Sequence, residues 1–114
     1  MKISTRKVGD VVVIDVPGKI TLGEGDVQLR KKIHELFEAG EKRILINLGQ
    51  VSYIDSAGIG ELVAAYTAAK NRGVELKLCN LTRKIHDLLT IAQLITVFET
   101  YDSEEEALSS FKES

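Results

Sequence analysis

One cysteine, one proline and two histidines are all that the 114 residues contain of these types. The lone cysteine, Cys79, excludes an internal disulfide and fits a reducing compartment. With no His or Cys pair at ligand spacing, a metal site has little support. His34 and His86 fall on separate helical segments, so neither has the orienting partners that a catalytic triad requires. A basic excess is also missing. Fifteen Lys and Arg against 17 Asp and Glu give a formal charge of -2, which provides no basic face for nucleic acid. No apolar run approaches the length of a membrane span, and Met1-Lys2-Ile3-Ser4-Thr5-Arg6 lacks the apolar stretch of a signal peptide. A cytoplasmic protein without membrane insertion is expected.

What is present suits one soluble domain over residues 1–114, with 44% hydrophobic and 28% charged residues. A chain of this size buries roughly two-thirds of its unfolded surface, enough for a core without staples. Ile3 to Arg6 and Val11 to Val16 read as two strands joined by a hairpin at Gly9-Asp10, and Pro17-Gly18 closes the second. Lys19 to Gly25 reads as a loop with a short extended piece at Lys19-Ile20-Thr21. Asp26 is a suitable N-cap for a helix with Leu29, Ile33, Leu36 and Phe37 inward, stopped by Gly40. A strand at Ile44 to Leu48 and a helix from Ala57 to Arg72, stopped by Gly73, come next. Glu75 to Cys79 reads as a strand. Thr82 can cap a helix with Ile85, Leu88 and Leu89 inward, and Val97 to Tyr101 gives a further strand. Ser103-Glu104-Glu105-Glu106 is a capping box for a last helix with Ala107, Leu108 and Phe111. The predicted order, β-β-α-β-α-β-α-β-α, makes an α/β domain: a mixed, mostly parallel sheet opened by a hairpin, with about four helices.

Several familiar chemistries can be set aside. Gly18 and Gly23 have the outer spacing of a P-loop, but Glu24-Gly25 replaces the required Lys-Ser/Thr. Gly58 and Gly60 open a helix as in a dinucleotide fingerprint, yet Val63 stands where a third small residue is needed. A nucleophile elbow needs glycine two residues before the serine, where Ile54 sits. A phospho-aspartate receiver would use Asp55, but Phe98-Glu99-Thr100-Tyr101-Asp102 lacks the lysine that receivers need after the last strand. Glu104 to Glu106 complements a helix N-terminus.

The most informative stretch is Ile54-Asp55-Ser56-Ala57-Gly58-Ile59-Gly60, where a strand hands over to a helix. Ser56 sits at the helix mouth, where unpaired N–H groups and the positive dipole end favour an anion. A hydroxyl there is either an ordinary cap or a site where a phosphoryl group is attached. Asp55-Ser56 offers two cap-capable residues where one suffices. Ala57, Gly58 and Gly60 leave little bulk around the hydroxyl, so a large partner can approach.

Tyr53-Ile54-Asp55-Ser56-Ala57-Gly58-Ile59-Gly60-Glu61-Leu62 resembles the Asp-Ser-(Ser/Thr/Ala)-Gly-Leu-Gly signature of STAS-domain anti-sigma factor antagonists. Val11 to Gly18, Leu76 to Leu81, Ile91 to Phe98 and Asp102 to Leu108 resemble other parts of the family pattern, so the likeness spans almost the whole chain. The resemblance implies a STAS-like fold and a non-enzymatic regulator without cofactor. It implies phosphorylation of Ser56 by an anti-sigma factor with ATP-dependent serine kinase activity, release of that partner on phosphorylation, and a phosphatase that reverses the mark. The implied docking surface joins the start of the second helix to the Gly18 to Gly25 loop. It comprises Thr21, Asp55, Ser56, Ala57, Gly58, Ile59 and Glu61. One departure stands out: the family often closes Gly-x-Leu/Ile with aspartate, where this chain has Thr21. The alternative is a STAS interaction subunit that is not phosphorylated, as in the accessory subunits of lipid-transport complexes.

Overall fold

Burial runs continuously along three segments, Val11 to Ile14, Ile44 to Ile46 and Leu76 to Cys79. A strand that faces solvent on one side alternates, so unbroken burial means that both faces of the sheet are covered. In the computed structural model, which describes residues 2–112, these segments form the centre of a five-stranded sheet. Its strands are β1 (Ser4–Val8), β2 (Val11–Asp15), β4 (Arg43–Asn47), β6 (Glu75–Cys79) and β7 (Thr100–Tyr101). They lie in the order β1-β2-β4-β6-β7. Only β1 is antiparallel, turned back on β2 at Gly9, whose φ of 63° suits a residue without a Cβ. The other pairs are parallel.

Register then divides the core. Ile14, Ile46 and Leu78 share one row, and with Ile44 and Leu76 they face α1 (Gly25–Glu38), α2 (Ser56–Asn71) and α3 (Arg83–Ile91). Val13, Leu45 and Lys77 share the neighbouring row on the opposite face, where α4 (Glu104–Lys112) supplies Ala107 and Phe111. Lys77 is buried there with its stem in the core. Its Nζ lies 4.6 Å from the Phe111 ring centroid and donates to Ser110 Oγ at 2.9 Å.

Polar side chains fasten the carboxyl ends of the central strands. Asn47 donates to Asp15 Oδ1 at 2.9 Å, and Asn80 donates to Asn47 Oδ1 at 3.0 Å. Arg6 grips both Asp15 oxygens and both Glu104 oxygens, tying β1 to β2 and to α4. These partners hold the Asp15 and Glu104 carboxyls below their usual range.

Two strands add to the predicted order. The short extended piece in the first loop is β3 (Gly18–Ile20), and it pairs in parallel with β5 (Val51–Ile54) as a separate two-stranded ribbon. The strand that leads into α2 is therefore β5 rather than the Ile44 to Leu48 run, which is β4 and its turn. β5 escaped prediction because its two central residues, Ser52 and Tyr53, are exposed and four residues carry no clear period. The last strand is shorter than Val97 to Tyr101. The chain turns at 94–97 with Val97 N–H on Leu94 O, and Phe98 packs into the core before two residues pair as β7. Helix α1 also starts two residues early, at Gly25 rather than after an Asp26 cap. Asp26 lies inside the first turn, buried, with its carboxylate on the Val27 N–H, and Glu24 at the cap makes no side-chain bond. The caps at Thr82 and Ser103 form as expected, accepting from Ile85 N–H at 3.3 Å and Glu106 N–H at 3.1 Å.

Candidate functional site

The β3–β5 ribbon delivers the chain to the mouth of α2. Asp55 has extended backbone, with φ -102° and ψ -176°, and its N–H continues the ribbon by donating to Ile20 O at 3.3 Å. Its carboxylate then divides between two elements. Oδ1 accepts from Gly58 N–H at 2.9 Å and so caps α2, while Oδ2 accepts from Leu22 N–H at 3.1 Å and so anchors the loop after β3. The two donors, Gly58 above all, hold the Asp55 pKa below the ordinary carboxylate value. Asp55 is thus the cap, and Ser56 is not needed as one.

Ser56 occupies the first helical position, exposed, and among the described residues its hydroxyl has no hydrogen-bond partner. The surroundings are shaped by backbone. A Cβ placed on Gly58 would lie 2.3 Å from Ile20 O and 2.6 Å from Ile54 Cγ1, so only glycine lets α2 press this closely on β3. Gly60 is exposed and open to solvent. The loop is a tight one, with the Thr21 carbonyl accepting from the N–H groups of Glu24 at 3.2 Å and Asp26 at 3.3 Å.

Thr21, Asp55, Ser56, Ala57, Gly58 and Ile59 therefore come together at one end of the molecule. Thr21, Ala57 and Ile59 are half-buried and Gly58 fully so. Glu61 is placed differently. Its side chain is only 10% exposed and turns to α1, with Oε1 3.3 Å from Arg30 Nε. Burial raises its pKa, and the Arg30 charge opposes the rise. Three residues that sequence reasoning did not single out belong to the elements leading to this site: Leu22, 77% exposed, whose N–H holds Asp55; Tyr53 of β5, 42% exposed; and Lys84 of α3, whose Nζ lies 5.1 Å from the Tyr53 ring centroid. For Tyr53 the available signal was its place two residues before Asp55; Leu22 carried none, because only the fold brings its loop to Asp55. Lys84 carried none, because only the fold brings α3 to β5.

The remaining titratable candidates stay apart from this site. His34 stacks edge-on against Phe37, and His86 lies beside Asp87 on the outside of α3. Cys79 is buried under α4, and that burial pushes its thiol up to about 12, far from the thiolate needed for reactivity. Among the described residues no cluster of His, Cys, Asp and Glu could hold a metal ion, and no helix is long and apolar enough to cross a membrane.

A model of the STAS domain family matches residues 2–107. This chain belongs to the STAS family. The STAS domain here is 33% identical over 88 residues to the anti-sigma-B factor antagonist of Bacillus subtilis, covering 77% of this chain and 79% of that one. Its fold is shared with SpoIIAA, an anti-sigma factor antagonist, in the unphosphorylated form: TM-score 0.81, 20% identity, 99% and 98% of the two chains. It is shared as well with the phosphorylated form of the Bacillus cell fate determinant SpoIIAA, with TM-score 0.75, 21% identity and 96% and 99% coverage. The mixed sheet and four helices of this STAS domain are thus the family architecture.

Proposed function

We propose that the protein is an anti-sigma factor antagonist whose hold on an anti-sigma factor is switched by phosphorylation of Ser56. The observation that carries the reading is the division of labour at the α2 N-terminus. Asp55 satisfies the cap and the loop, and Ser56 is left exposed with a free hydroxyl. The names of the relatives support the antagonist role, and a protein of this fold with both unphosphorylated and phosphorylated forms supports a phosphoryl switch.

A phosphoryl group on Ser56 adds about -1.5 to -2 charges and three acceptor oxygens. At a helix N-terminus that anion is favoured by roughly 0.3–1 kcal/mol, so the domain stays folded. Association responds differently. Burying the new charge in an interface strips its water, at a cost of several kcal/mol if nothing compensates it. Taking ~4 kcal/mol at ~1.4 kcal/mol per decade, binding weakens on the order of several hundredfold. Asp55, held ionised by its two amide donors, adds like charge one residue away. In this mechanism Ser56 is the substrate hydroxyl, the partner kinase holds the nucleotide, and a phosphatase restores the binding form.

Incubation with each serine kinase of the same genome and ATP, followed by intact-mass measurement, tests the proposal. The wild-type chain should gain one phosphoryl group and Ser56→Ala none. Ser56→Ala should keep partner affinity while Ser56→Asp loses it. Equal binding by these two variants would refute the charge switch.

A further inference from the structure

The β3–β5 ladder sets Lys19 directly opposite Tyr53. The first turn of α3 brings Lys84 Nζ to 5.1 Å from the Tyr53 ring centroid. All three side chains are exposed, and Tyr53 stands two residues before the Asp55 cap. One lysine in the paired strand position and one over the ring thus accompany an exposed aromatic side chain on the ribbon that leads to Ser56.

No carboxylate answers these charges. Among the described residues, neither Lys19 nor Lys84 has an acid within ion-pair distance, a property they share with other surface cations such as Lys31, Lys42 and Arg83. What sets them apart is their place beside Tyr53. Asp55 is close in sequence, but both its oxygens are taken by backbone N–H groups. Thr21, on the loop between the ribbon and α1, is uncharged, and Glu24 lies at the far end of that loop, at the start of α1. Around the ring, two lysines thus stand against the single carboxylate of Asp55, although the chain as a whole carries -2.

Resting on the function proposed above, we infer that Lys19, Tyr53 and Lys84 dock an acidic segment of the anti-sigma factor beside Ser56. Carboxylates of the partner pair with the two lysines, and an apolar or amide group covers the ring. Opposite charges at an interface rim act chiefly on encounter and on partner choice. The same pairing aligns the kinase with the hydroxyl it modifies, and it excludes partners whose matching surface is basic.

The test uses the kinase that phosphorylates Ser56, immobilised for surface plasmon resonance against the full chain. The double variant Lys19→Glu/Lys84→Glu should bind about tenfold or more weakly, mainly through slower association, with a flatter dependence on salt. The neutral pair Lys19→Gln/Lys84→Gln should fall between. Lys42→Glu, a single charge reversal just before β4 to be compared with Lys84→Glu alone, should bind like wild type, whereas Lys84→Glu should not. Unchanged association by the double variant, with Ser56→Asp still impaired, overturns the acidic-segment inference and leaves the switch intact. Impairment by the lysine variants with Ser56→Asp unaffected supports the docking face and refutes the switch. If no serine kinase of the genome binds the chain, both fall.

Discussion

Replacing Gly58 by alanine tests how tightly the ribbon and α2 are locked. The added Cβ would stand 2.3 Å from Ile20 O and 2.6 Å from Ile54 Cγ1, against about 3.4 Å for ordinary contact. Helix and ribbon must therefore part by about 1 Å. That movement strains two hydrogen bonds that share the spot, Asp55 N–H to Ile20 O and Gly58 N–H to Asp55 Oδ1. Overpacking of this kind costs roughly 1–3 kcal/mol, while the alanine returns up to ~1 kcal/mol of helix propensity. The net destabilisation is up to about 2 kcal/mol, or a fall in Tm of up to roughly 8 °C for a domain near this size, and the 2.3 Å approach to a backbone oxygen puts it toward that upper end. Gly60→Ala is the internal control. Its Cβ meets nothing within 4 Å and its φ is not positive, so the propensity gain of up to ~1 kcal/mol remains and the domain is stabilised. Calorimetry of the two variants should show shifts of opposite sign. A Gly58→Ala protein as stable as wild type would refute the close-approach argument.

Two further outcomes follow from the charged groups. Arg6→Met should lower stability at neutral pH by about 1 kcal/mol, the upper end for pairs whose arginine is 43% exposed. The Asp15 and Glu104 pKa values are lowered, so their contribution is present above the ordinary carboxylate range and is lost as pH falls through the lowered values. Chemical denaturation across that acid range should show a shallower loss for Arg6→Met than for wild type, and parallel curves would contradict the network. Asp55→Ala should release helix and loop together. Amide exchange should accelerate at both Gly58 and Leu22, and protection surviving at Leu22 would show that the loop is held by something else.

Much of the main sheet was legible because its signal is local. Val11 to Ile14, Ile44 to Ile46 and Leu76 to Cys79 are uninterrupted apolar or nearly apolar runs, and the caps at Thr82 and Ser103 are sequence-level punctuation. Of the ribbon, only the short extended piece at Lys19-Ile20-Thr21 was legible, not β5 or the pairing. Three residues of β3 and four of β5 are too short to show a period, and their pairing joins segments more than thirty residues apart. At the site, Asp55-Ser56 and its small neighbours stood out. Which of the two residues caps α2 required geometry, since both can accept from an N–H in the first turn. Glu61 turned inward to Arg30 for a reason visible only once α1 and α2 pack together.

The ribbon forms no part of the five-stranded ladder. Its outward residues, Lys19, Ser52 and Tyr53, can therefore be exchanged at little cost to the core, whereas Ile20 and Ile54 cannot, because they are buried beneath α2. If the docking face proposed above holds, choice of partner and integrity of fold are divided between the exposed and the buried residues of the same seven-residue ribbon. Substitution of the exposed residues would then re-address the domain while leaving its packing untouched.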